Sequence, residues 1–325
     1  MSRQGLGSLT NLVNRARSEG PLLVLGAKGQ VGRALVQASK DCGVEVVGLS
    51  RQDLDLSDFQ QVTRQLREIQ PSLVLNAAAY TAVDLAETEV EAAQILNARL
   101  PGLLAEQCGQ HQVPFVHYST DYVFSGEGDR PWREDDPTGP VNVYGQTKLK
   151  GELAVQAACR EHLTFRTSWV FDEQGKNFLT TMLRLGQERE RLTVVSDQVG
   201  APSFAKDLAE LSLQALNRAL DRNQASSQGQ PPLWGLYHLC SQGQTTWYEF
   251  AQAIFAEAKA RGLPLKVQSV EAILTQDYPT AAKRPLNSRL DLGKFISHFE
   301  LSPPHWSQAL GACMESLFAH GKELQ

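Results

Sequence analysis

The sequence predicts an α/β protein with a doubly wound parallel sheet and a smaller, mainly helical C-terminal region. Short apolar runs alternate with segments of helical periodicity over the first half of the chain, as expected for strands buried on both faces of a parallel sheet. A glycine-rich turn joins the first apolar run to the first helix, and the alternation loosens after about residue 171. With 325 residues, the chain can form one large or two moderate domains.

Composition argues against several classes of protein. The formal net charge of −5 leaves no basic face for nucleic acid, and no apolar run approaches the ~20 residues that span a bilayer. None of the five cysteines stands at C-x-x-C spacing, so the sequence shows neither a zinc site nor a redox motif. We expect free thiols in a reducing compartment and therefore a cytoplasmic protein without membrane or nucleic-acid partners.

The predicted elements follow in chain order. The sheet strands are expected at residues 21–26, 44–50, 72–79, 114–120 and 163–171. The intervening helices are expected at 30–42, 58–69, 87–110 and 144–161, with a kink at Pro101. Beyond them we expect helices at 177–188 and 205–220, strands at 192–196 and 236–240, a polar linker at 223–232, and mainly helix to the C-terminus.

The glycine-rich turn carries Gly26, Gly29 and Gly32 between a strand and a helix. Glycines in that context let the backbone approach a pyrophosphate at the helix N-terminus, which predicts a dinucleotide site of Rossmann type. We therefore divide the chain into a flexible tail (1–20), an NAD(P)-binding domain (21–175, with returns to the sheet near 204–241) and a substrate-binding domain (176–203 and 242–325).

The residues after the second strand bear on the choice of cofactor. An acidic residue there would hold the ribose 2′-hydroxyl of NAD, whereas Ser50 and Arg51 suit the 2′-phosphate of NADPH. The sequence favours NADPH and leaves NADH open, because Arg51 is equally compatible with a solvated surface position. Asp55 and Leu56 are candidates for the adenine edge.

Tyr144 and Lys148 stand four residues apart, on one face of a predicted helix. A neighbouring ammonium lowers the pKa of a phenol, and Thr120, at the end of a buried strand, can hold a carbonyl oxygen beside it. These three residues predict reduction of a carbonyl with a proton supplied by the protein. Asn97, inside a predicted helix, is a candidate for orienting a water behind the lysine.

Several motifs together resemble the extended short-chain dehydrogenase/reductases. These are Gly26/Gly29/Gly32 and the segments 76–79, 119–124 and 144–149. Within that group, the chain is most similar to the dTDP-4-dehydrorhamnose reductase family. The segments that match it are 79–84 with Glu87, 166–170, 177–178, 197–202 and 284–288.

This resemblance implies reduction of the C4 ketone of dTDP-4-dehydro-L-rhamnose by NAD(P)H. It implies Tyr144 as proton donor, Lys148 as the residue that lowers the pKa of Tyr144 and holds the nicotinamide ribose, and Thr120 as hydrogen-bond partner of the reacting oxygen. The implied cofactor contacts are Gly26, Gly29, Gln30, Val31, Gly32, Asp55, Leu56, Ala78, Ala79, Tyr80, Tyr144 and Lys148. The implied substrate contacts are Thr81, Val83, Asp121, Tyr122, Trp169 and Asn177, and Arg284 is a candidate partner of the diphosphate.

Other interpretations remain open at this stage. The chain could reduce another nucleotide-activated 4-keto sugar, or serve as a non-catalytic subunit like the regulatory subunit of methionine adenosyltransferase, which resembles the same subfamily. Trp169 is equally suited to core packing, and His117 is expected to be a core histidine with its polar atoms satisfied. The sequence assigns no ligands for magnesium, and a homodimer is compatible with the resemblance alone.

Overall fold

The computed structural model describes residues 9–224 and 231–319. Its strands are β1 (Leu22–Leu25), β2 (Val46–Leu49), β3 (Leu73–Asn76), β4 (Phe115–Thr120), β5 (His162–Thr167), β6 (Val170–Phe171), β7 (Arg191–Val195), β8 (Val199–Gly200), β9 (Ser203–Phe204), β10 (Gly235–His238), β11 (Thr245–Thr246) and β12 (Ser269–Ile273).

The α-helices lie between these strands and after them. They are α1 (Thr10–Glu19), α2 (Gln30–Asp41), α3 (Phe59–Ile69), α4 (Val83–Ala86), α5 (Val90–Gln94), α6 (Leu100–His111), α7 (Val143–Ala158), α8 (Phe178–Glu188), α9 (Ala205–Gln224), α10 (Trp247–Ala260), α11 (Gly293–Phe299) and α12 (Trp306–Ala319). No helix in the described part of the chain combines the length and the apolar character needed to cross a lipid bilayer.

Six strands of the described residues form one parallel sheet in the order β10-β5-β4-β3-β1-β2. The chain therefore runs outward from β1 to one edge and then returns to build the other half, which confirms the predicted doubly wound sheet. The side chains of β1, β3, β4 and β5 are buried along their whole length, because helices cover both faces. The carboxyl ends of these strands meet at one edge, where open α/β sheets bind ligands.

Three hydrophobic clusters account for most of the buried apolar residues. One cluster lies between the sheet and the helices α2, α9 and α11, and a second lies between the sheet and the helices α3, α6 and α7. The third is separate from the sheet and joins α8, α10 and α12 to the short strands β6, β7 and β9. The predicted helical character of the C-terminal region is confirmed, with β12 as an added strand that pairs with β7.

The expectation of a flexible tail over residues 1–20 is wrong for the part that the structure describes. Helix α1 buries Leu12 and Ala16 in the cluster that packs on the sheet. The backbone N–H groups of Asn11 and Leu12 donate to Oδ1 of Asn217 on α9, at 3.1 and 3.3 Å. An apolar stripe of a few residues is therefore enough to pack helix α1 against the rest of the protein. Residues 1–8 lie outside the described residues.

Other boundaries differ from the predictions in ways that affect the site. The helix predicted at 87–110 is divided into α5, a π-helical turn at Ile95–Arg99 and α6, whose first turn accommodates Pro101. The strand predicted at 163–171 is split into β5 and β6 at residues 168 and 169. Helix α9 extends to Gln224, and residues 225–230 of the predicted linker lie outside the described residues.

Candidate active site

The turn between β1 and α2 requires glycine for steric reasons. Gly26 adopts a left-handed φ of 76°, and a Cβ on it would lie 2.7 Å from the backbone nitrogen of Ala78. A Cβ on Gly32 would lie 2.1 Å from the carbonyl oxygen of Gly26. The turn is closed by the Gly29 N–H, which donates to that same carbonyl at 2.8 Å. The N-terminus of α2, at Gln30 and Val31, is thereby presented at the sheet edge and has no side-chain cap among the described residues.

Ser50, predicted to receive a ribose phosphate, already has a partner within the protein. Its hydroxyl donates to Oδ2 of Asp53 at 2.6 Å, and its backbone N–H donates to the same oxygen at 2.9 Å. These hydrogen bonds lower the pKa of Asp53. Arg51 is exposed, and a joint contact of its guanidinium and the Ser50 hydroxyl with a phosphate stays a prediction.

Asp55 and Leu56, the candidates for the adenine edge, form the next turn. The Asp55 carboxylate accepts hydrogen bonds from the hydroxyl and the backbone N–H of Ser57, at 2.7 and 2.9 Å, and these bonds lower its pKa. Leu56 packs against the cluster below α3, and Asp58 rather than Ser57 caps that helix. The turn is therefore held by its own hydrogen bonds, with the side chain of Asp55 exposed.

The side chain of Asn97 holds the segment that follows β3. Its side-chain Oδ1 accepts from the backbone N–H of Tyr80 at 2.8 Å, and its Nδ2 donates to the Tyr80 carbonyl at 3.0 Å and to Thr147 Oγ1 at 3.2 Å. Asn97 lies in the π-helical turn, a feature common at functional sites. Its amide therefore joins the segment that follows β3, including Ala78 and Ala79, to helix α7, and the orientation of a water behind Lys148 stays a prediction.

Tyr144, Lys148 and Thr120 are brought together at the carboxyl end of β4. Helix α7 begins at Val143, whose N–H donates to Glu87 at 2.8 Å, and Asn142 caps it by accepting from Gly145 N–H at 2.8 Å. Gly145 is required here, because a Cβ would lie 2.2 Å from the carbonyl oxygen of Tyr122. The Tyr144 ring meets the Tyr122 ring edge-on at 5.5 Å, and its hydroxyl is hydrogen-bonded to Thr120.

Burial dominates the electrostatics of this trio. It raises the pKa of Tyr144, while the hydrogen bond with Thr120 acts in the opposite direction. It lowers the pKa of Lys148 to about 8, against the effect of the nearby Glu152. Burial therefore raises the pKa of Tyr144, where the sequence predicted a lowering, and Tyr144 holds its proton at neutral pH.

Asp121 and Tyr122 continue from Thr120 into a short 3₁₀ turn, Asp121–Val123. Oδ1 of Asp121 accepts from the Thr120 hydroxyl at 3.0 Å, and burial raises the pKa of Asp121 to about 6. The Tyr122 hydroxyl accepts from Arg284 at 3.3 Å, and Arg284 also forms an ion pair with Asp84 at 2.7 Å. Thr81 is exposed and precedes helix α4. Val83 is the first residue of that helix and is adjacent to Asp84.

Trp169 stands in strained backbone and in an aromatic stack. Its φ of 47° is left-handed, which is rare for a bulky residue and is often associated with function. The indole lies against that of Trp247 with ring centroids 3.7 Å apart, and a Cβ on Gly200 would lie 2.7 Å from Trp169. Sequence reasoning missed Trp247, and the only local signal was its place directly after a helix-capping threonine.

Asn177 is the N-cap of helix α8, and its contact with a substrate stays a prediction. Its Oδ1 accepts from Thr180 N–H at 3.1 Å as the N-cap, and its Nδ2 donates to the carbonyl of Asp172 at 2.8 Å. Across residues 9–224 and 231–319, no three His, Cys, Asp or Glu side chains come together in a way that could hold a metal ion. The five cysteines are free, as the sequence predicted.

The long segment between β4 and α7 is held by residues that the sequence did not single out. The Glu134 carboxylate accepts from the backbone N–H of His238 at 2.9 Å. Arg166 donates to the Glu134 carbonyl and forms a buried ion pair with Glu152 at 2.7 Å. Asp136 accepts from both terminal nitrogens of Arg130 at 2.7 Å. These contacts fix the segment above the sheet edge.

The comparisons with known proteins agree with this arrangement. The family model described as the RmlD substrate binding domain matches residues 20–318. The dTDP-4-dehydrorhamnose reductase of Escherichia coli (strain K12) is 44% identical over 300 residues, which cover 91% of this chain and 98% of that protein.

Two solved structures are also similar. A dTDP-4-dehydrorhamnose reductase from Clostridium acetobutylicum ATCC 824 has a TM-score of 0.82 and 33% identity, and covers 92% of this chain and 99% of its own. The enzyme of Bacillus anthracis str. Ames, in complex with NADP, has a TM-score of 0.80 and 31% identity with the same coverage. The chain therefore belongs to the RmlD substrate-binding-domain family, that of the dTDP-4-dehydrorhamnose reductases.

Proposed function

We propose that this protein reduces the C4 ketone of dTDP-4-dehydro-L-rhamnose to dTDP-L-rhamnose, with NADPH as the preferred reductant. The observation that carries the proposal is the meeting of Thr120, Tyr144 and Lys148 at the carboxyl edge of a parallel sheet. Relatives that are named for this reaction match the chain over nearly its whole length.

The residues of the β1–α2 turn fit a dinucleotide. A Cβ at Gly26 or Gly32 would clash with the backbone of the turn or of the segment after β3, so the close turn depends on glycine. The N-terminus of α2 offers backbone N–H groups to a pyrophosphate. We assign Gly26, Gly29, Gln30, Val31 and Gly32 to that contact. Ala78, Ala79 and Tyr80 would border the cofactor beyond β3, and Arg51 would contact the adenosine end. A bound nicotinamide cofactor would supply the hydride.

The reaction requires one proton for the ketone oxygen as hydride reaches C4. Tyr144 would give that proton, since burial raises its pKa and keeps the phenol protonated at neutral pH. The Thr120 hydroxyl would hold the same oxygen by a hydrogen bond. Lys148, in its ammonium form, would stabilise the tyrosinate that results and hold the ribose next to it.

The substrate would lie on the opposite side of Tyr144. We assign the sugar to Asp121, Tyr122 and Trp169, and the nucleotide to Thr81 and Val83. Arg284, which joins Asp84 to Tyr122, would bind the diphosphate. In this proposal residues 21–175 with the return at 204–241 form the cofactor domain, and residues 176–203 and 242–325 form the substrate domain.

The test is the rate of NADPH oxidation with enzymatically generated dTDP-4-dehydro-L-rhamnose for the wild type and for Tyr144→Phe. We expect turnover to fall by about 10²- to 10⁴-fold in the variant, the usual contribution of a positioned proton donor, while NADPH affinity changes little. Tyr248→Phe is the matched control, because the Tyr248 hydroxyl contacts Gln252 on α10 and lies outside the proposed site.

The outcomes separate the alternatives. Equal turnover by the wild type and Tyr144→Phe would exclude Tyr144 as proton donor. If the wild type binds NADPH but does not turn over this substrate, reduction of another nucleotide-activated 4-keto sugar is tested next. Failure with every such ketone, together with co-purification of a methionine adenosyltransferase, would support the regulatory alternative.

A further inference from the structure

A buried histidine that the proposed reaction does not use lies directly behind Lys148. His117 is in the middle of β4 and has no exposed surface. Its Nε2 lies 3.5 Å from Lys148 Nζ, and its Nδ1 lies 3.3 Å from Nδ2 of Asn76, at the end of β3. The sequence predicted a core histidine with satisfied polar atoms, and both ring nitrogens do have partners. One of those partners is the lysine of the proposed active site.

The neighbours of His117 determine which ring nitrogen carries the proton. Oδ1 of Asn76 accepts from the backbone N–H of Ala78 at 3.2 Å, which fixes the orientation of the amide. The Asn76 Nδ2 is therefore the group that faces the ring, and it can only donate. Nδ1 of His117 must accept this hydrogen bond. Burial lowers the pKa of His117 well below its ordinary value, so the ring is neutral and its single proton is on Nε2.

The Nε2–H group consequently points at Lys148 Nζ. Two donors face each other when Lys148 is an ammonium, whereas the amine form can accept from Nε2–H. Lys148 Nζ also lies 2.5 Å from the carbonyl oxygen of Tyr118, which accepts from it and holds it in place. We propose that His117 is a positioning residue for Lys148: fixed by Asn76 as the Nε2–H tautomer, it favours the amine form over the ammonium. This inference rests on the proposed role of Lys148.

The other titratable groups near Lys148 do not favour its amine form. Glu152, one turn further along α7, favours the ammonium, but its carboxylate is also bound by Arg166 of β5. His162, at the start of β5, bonds to the Cys159 carbonyl at 2.6 Å, and its pKa is lowered by burial. Burial lowers the pKa of Lys148 to about 8, and in this proposal the Nε2–H of His117 opposes the ammonium as well.

The tautomer can be measured without substrate or cofactor. The full-length protein labelled with ¹⁵N-histidine is studied by two-dimensional NMR at neutral pH, and the His117 signals are assigned by their loss in His117→Gln. We expect a protonated Nε2 and an unprotonated Nδ1. A protonated Nδ1, or a doubly protonated ring, would overturn the proposal. Asn76→Asp should reverse the tautomer, since a carboxylate at this position can only accept from Nδ1–H.

The effect on Lys148 is measured by the pH dependence of kcat. If the ammonium assists Tyr144, activity declines at high pH as Lys148 loses its proton. In His117→Gln the amide oxygen can turn towards Lys148, and in Asn76→Asp the bare Nε2 can accept from it. We expect the midpoint of the decline in kcat at high pH, the basic limb of the profile, to rise by about one pH unit or more in both variants. This is the effect of one hydrogen bond to a charged group.

His162→Gln is the matched control, because this buried histidine faces the Cys159 carbonyl rather than Lys148. It should leave the basic limb in place even if it lowers stability. An unchanged limb in both His117→Gln and Asn76→Asp would overturn the inference, whatever their absolute activity. If the wild type itself shows no turnover, the proposed function fails instead, and the NMR experiment still decides the tautomer.

Discussion

The two sides of the proposed active site are built by different kinds of contact. On the cofactor side, several hydrogen bonds join near neighbours in the chain, such as Gly29 N–H to Gly26 and Ser50 to Asp53. On the substrate side, the corresponding contacts join distant segments. Arg284 is paired with Asp84, and Asn142 donates to the carbonyl of Lys283 at 2.8 Å.

This difference has a consequence for mutation. A local turn is a property of a few consecutive residues, so a single steric change can abolish it. A long-range contact on the substrate side depends on how the C-terminal region packs on the sheet. When one such contact is removed, the neighbouring contacts still hold the two segments together. We therefore expect the largest single-residue effects on the cofactor side and smaller, ligand-specific effects on the substrate side.

Gly26→Ala should have the largest effect. The new Cβ would combine a left-handed φ of 76° with a 2.7 Å approach to the backbone nitrogen of Ala78. The backbone term costs about 1–2 kcal/mol and overpacking adds about 1–3 kcal/mol. We expect the free energy of unfolding to fall by that sum, and NADPH affinity to fall about tenfold or more because the turn must shift. Urea unfolding and fluorescence titration with NADPH provide the two measurements.

Gly43→Ala is the control that separates the two terms. Gly43 has nearly the same φ, 72°, but a Cβ there would meet no atom within 4 Å. It should show the backbone cost alone, with unchanged NADPH affinity. Equal effects of the two substitutions would contradict the steric role assigned to the turn.

The same difference explains how far the sequence could lead. The glycine turn, the strand that ends at Thr120 and the spacing of Tyr144 and Lys148 are local patterns, and the structure brings these residues to one sheet edge. Asn97 was predicted to lie in a helix, but its bonds to the Tyr80 backbone depend on a π-helical turn that the sequence does not signal. Which residue a side chain bonds to depends on the tertiary structure, which local sequence patterns do not predict.

Two other differences and one omission have the same origin. Helix α1 looked like a loose tail because its two fully buried side chains, Leu12 and Ala16, are too few to stand out without the surface of α9 that receives them. The stack of Trp169 on Trp247 joins residues that are far apart in sequence. The pKa of Tyr144 was expected to fall beside an ammonium, but burial, which the sequence does not show, raises it.

Asp121 lies where the two sides meet, and it should make stability depend on pH. Burial raises its pKa from the ordinary 3.8 to about 6, so the folded protein favours the protonated carboxyl. The resulting stabilisation is complete below pH ~4 and is lost as the pH rises through about 6, which amounts to roughly 2–3 kcal/mol. Asp121→Asn stays neutral and should therefore become progressively more stable than the wild type between pH 4 and 7.

Urea unfolding of both proteins at intervals over that range measures the difference directly. Other titrating groups are common to the two proteins and cancel. A difference in unfolding free energy that stays constant from pH 4 to 7 would show that Asp121 is ionised in the folded state at low pH, and that its environment does not oppose the charge.

Arg284→Met should have the smallest effect, confined to the substrate side. The ion pair with Asp84 is partly exposed, with 26% and 43% of the two side chains accessible, so its loss should cost less than about 1 kcal/mol of stability. The KM for the nucleotide sugar should rise about tenfold, as for one partly solvated charged hydrogen bond, with NADPH affinity unchanged. Arg184→Met, which breaks an exposed pair with Glu188 on α8, should change neither. A rise in the Kd for NADPH equal to the rise in KM would mean that Arg284 supports both sides, and the two sides would then not be energetically separable.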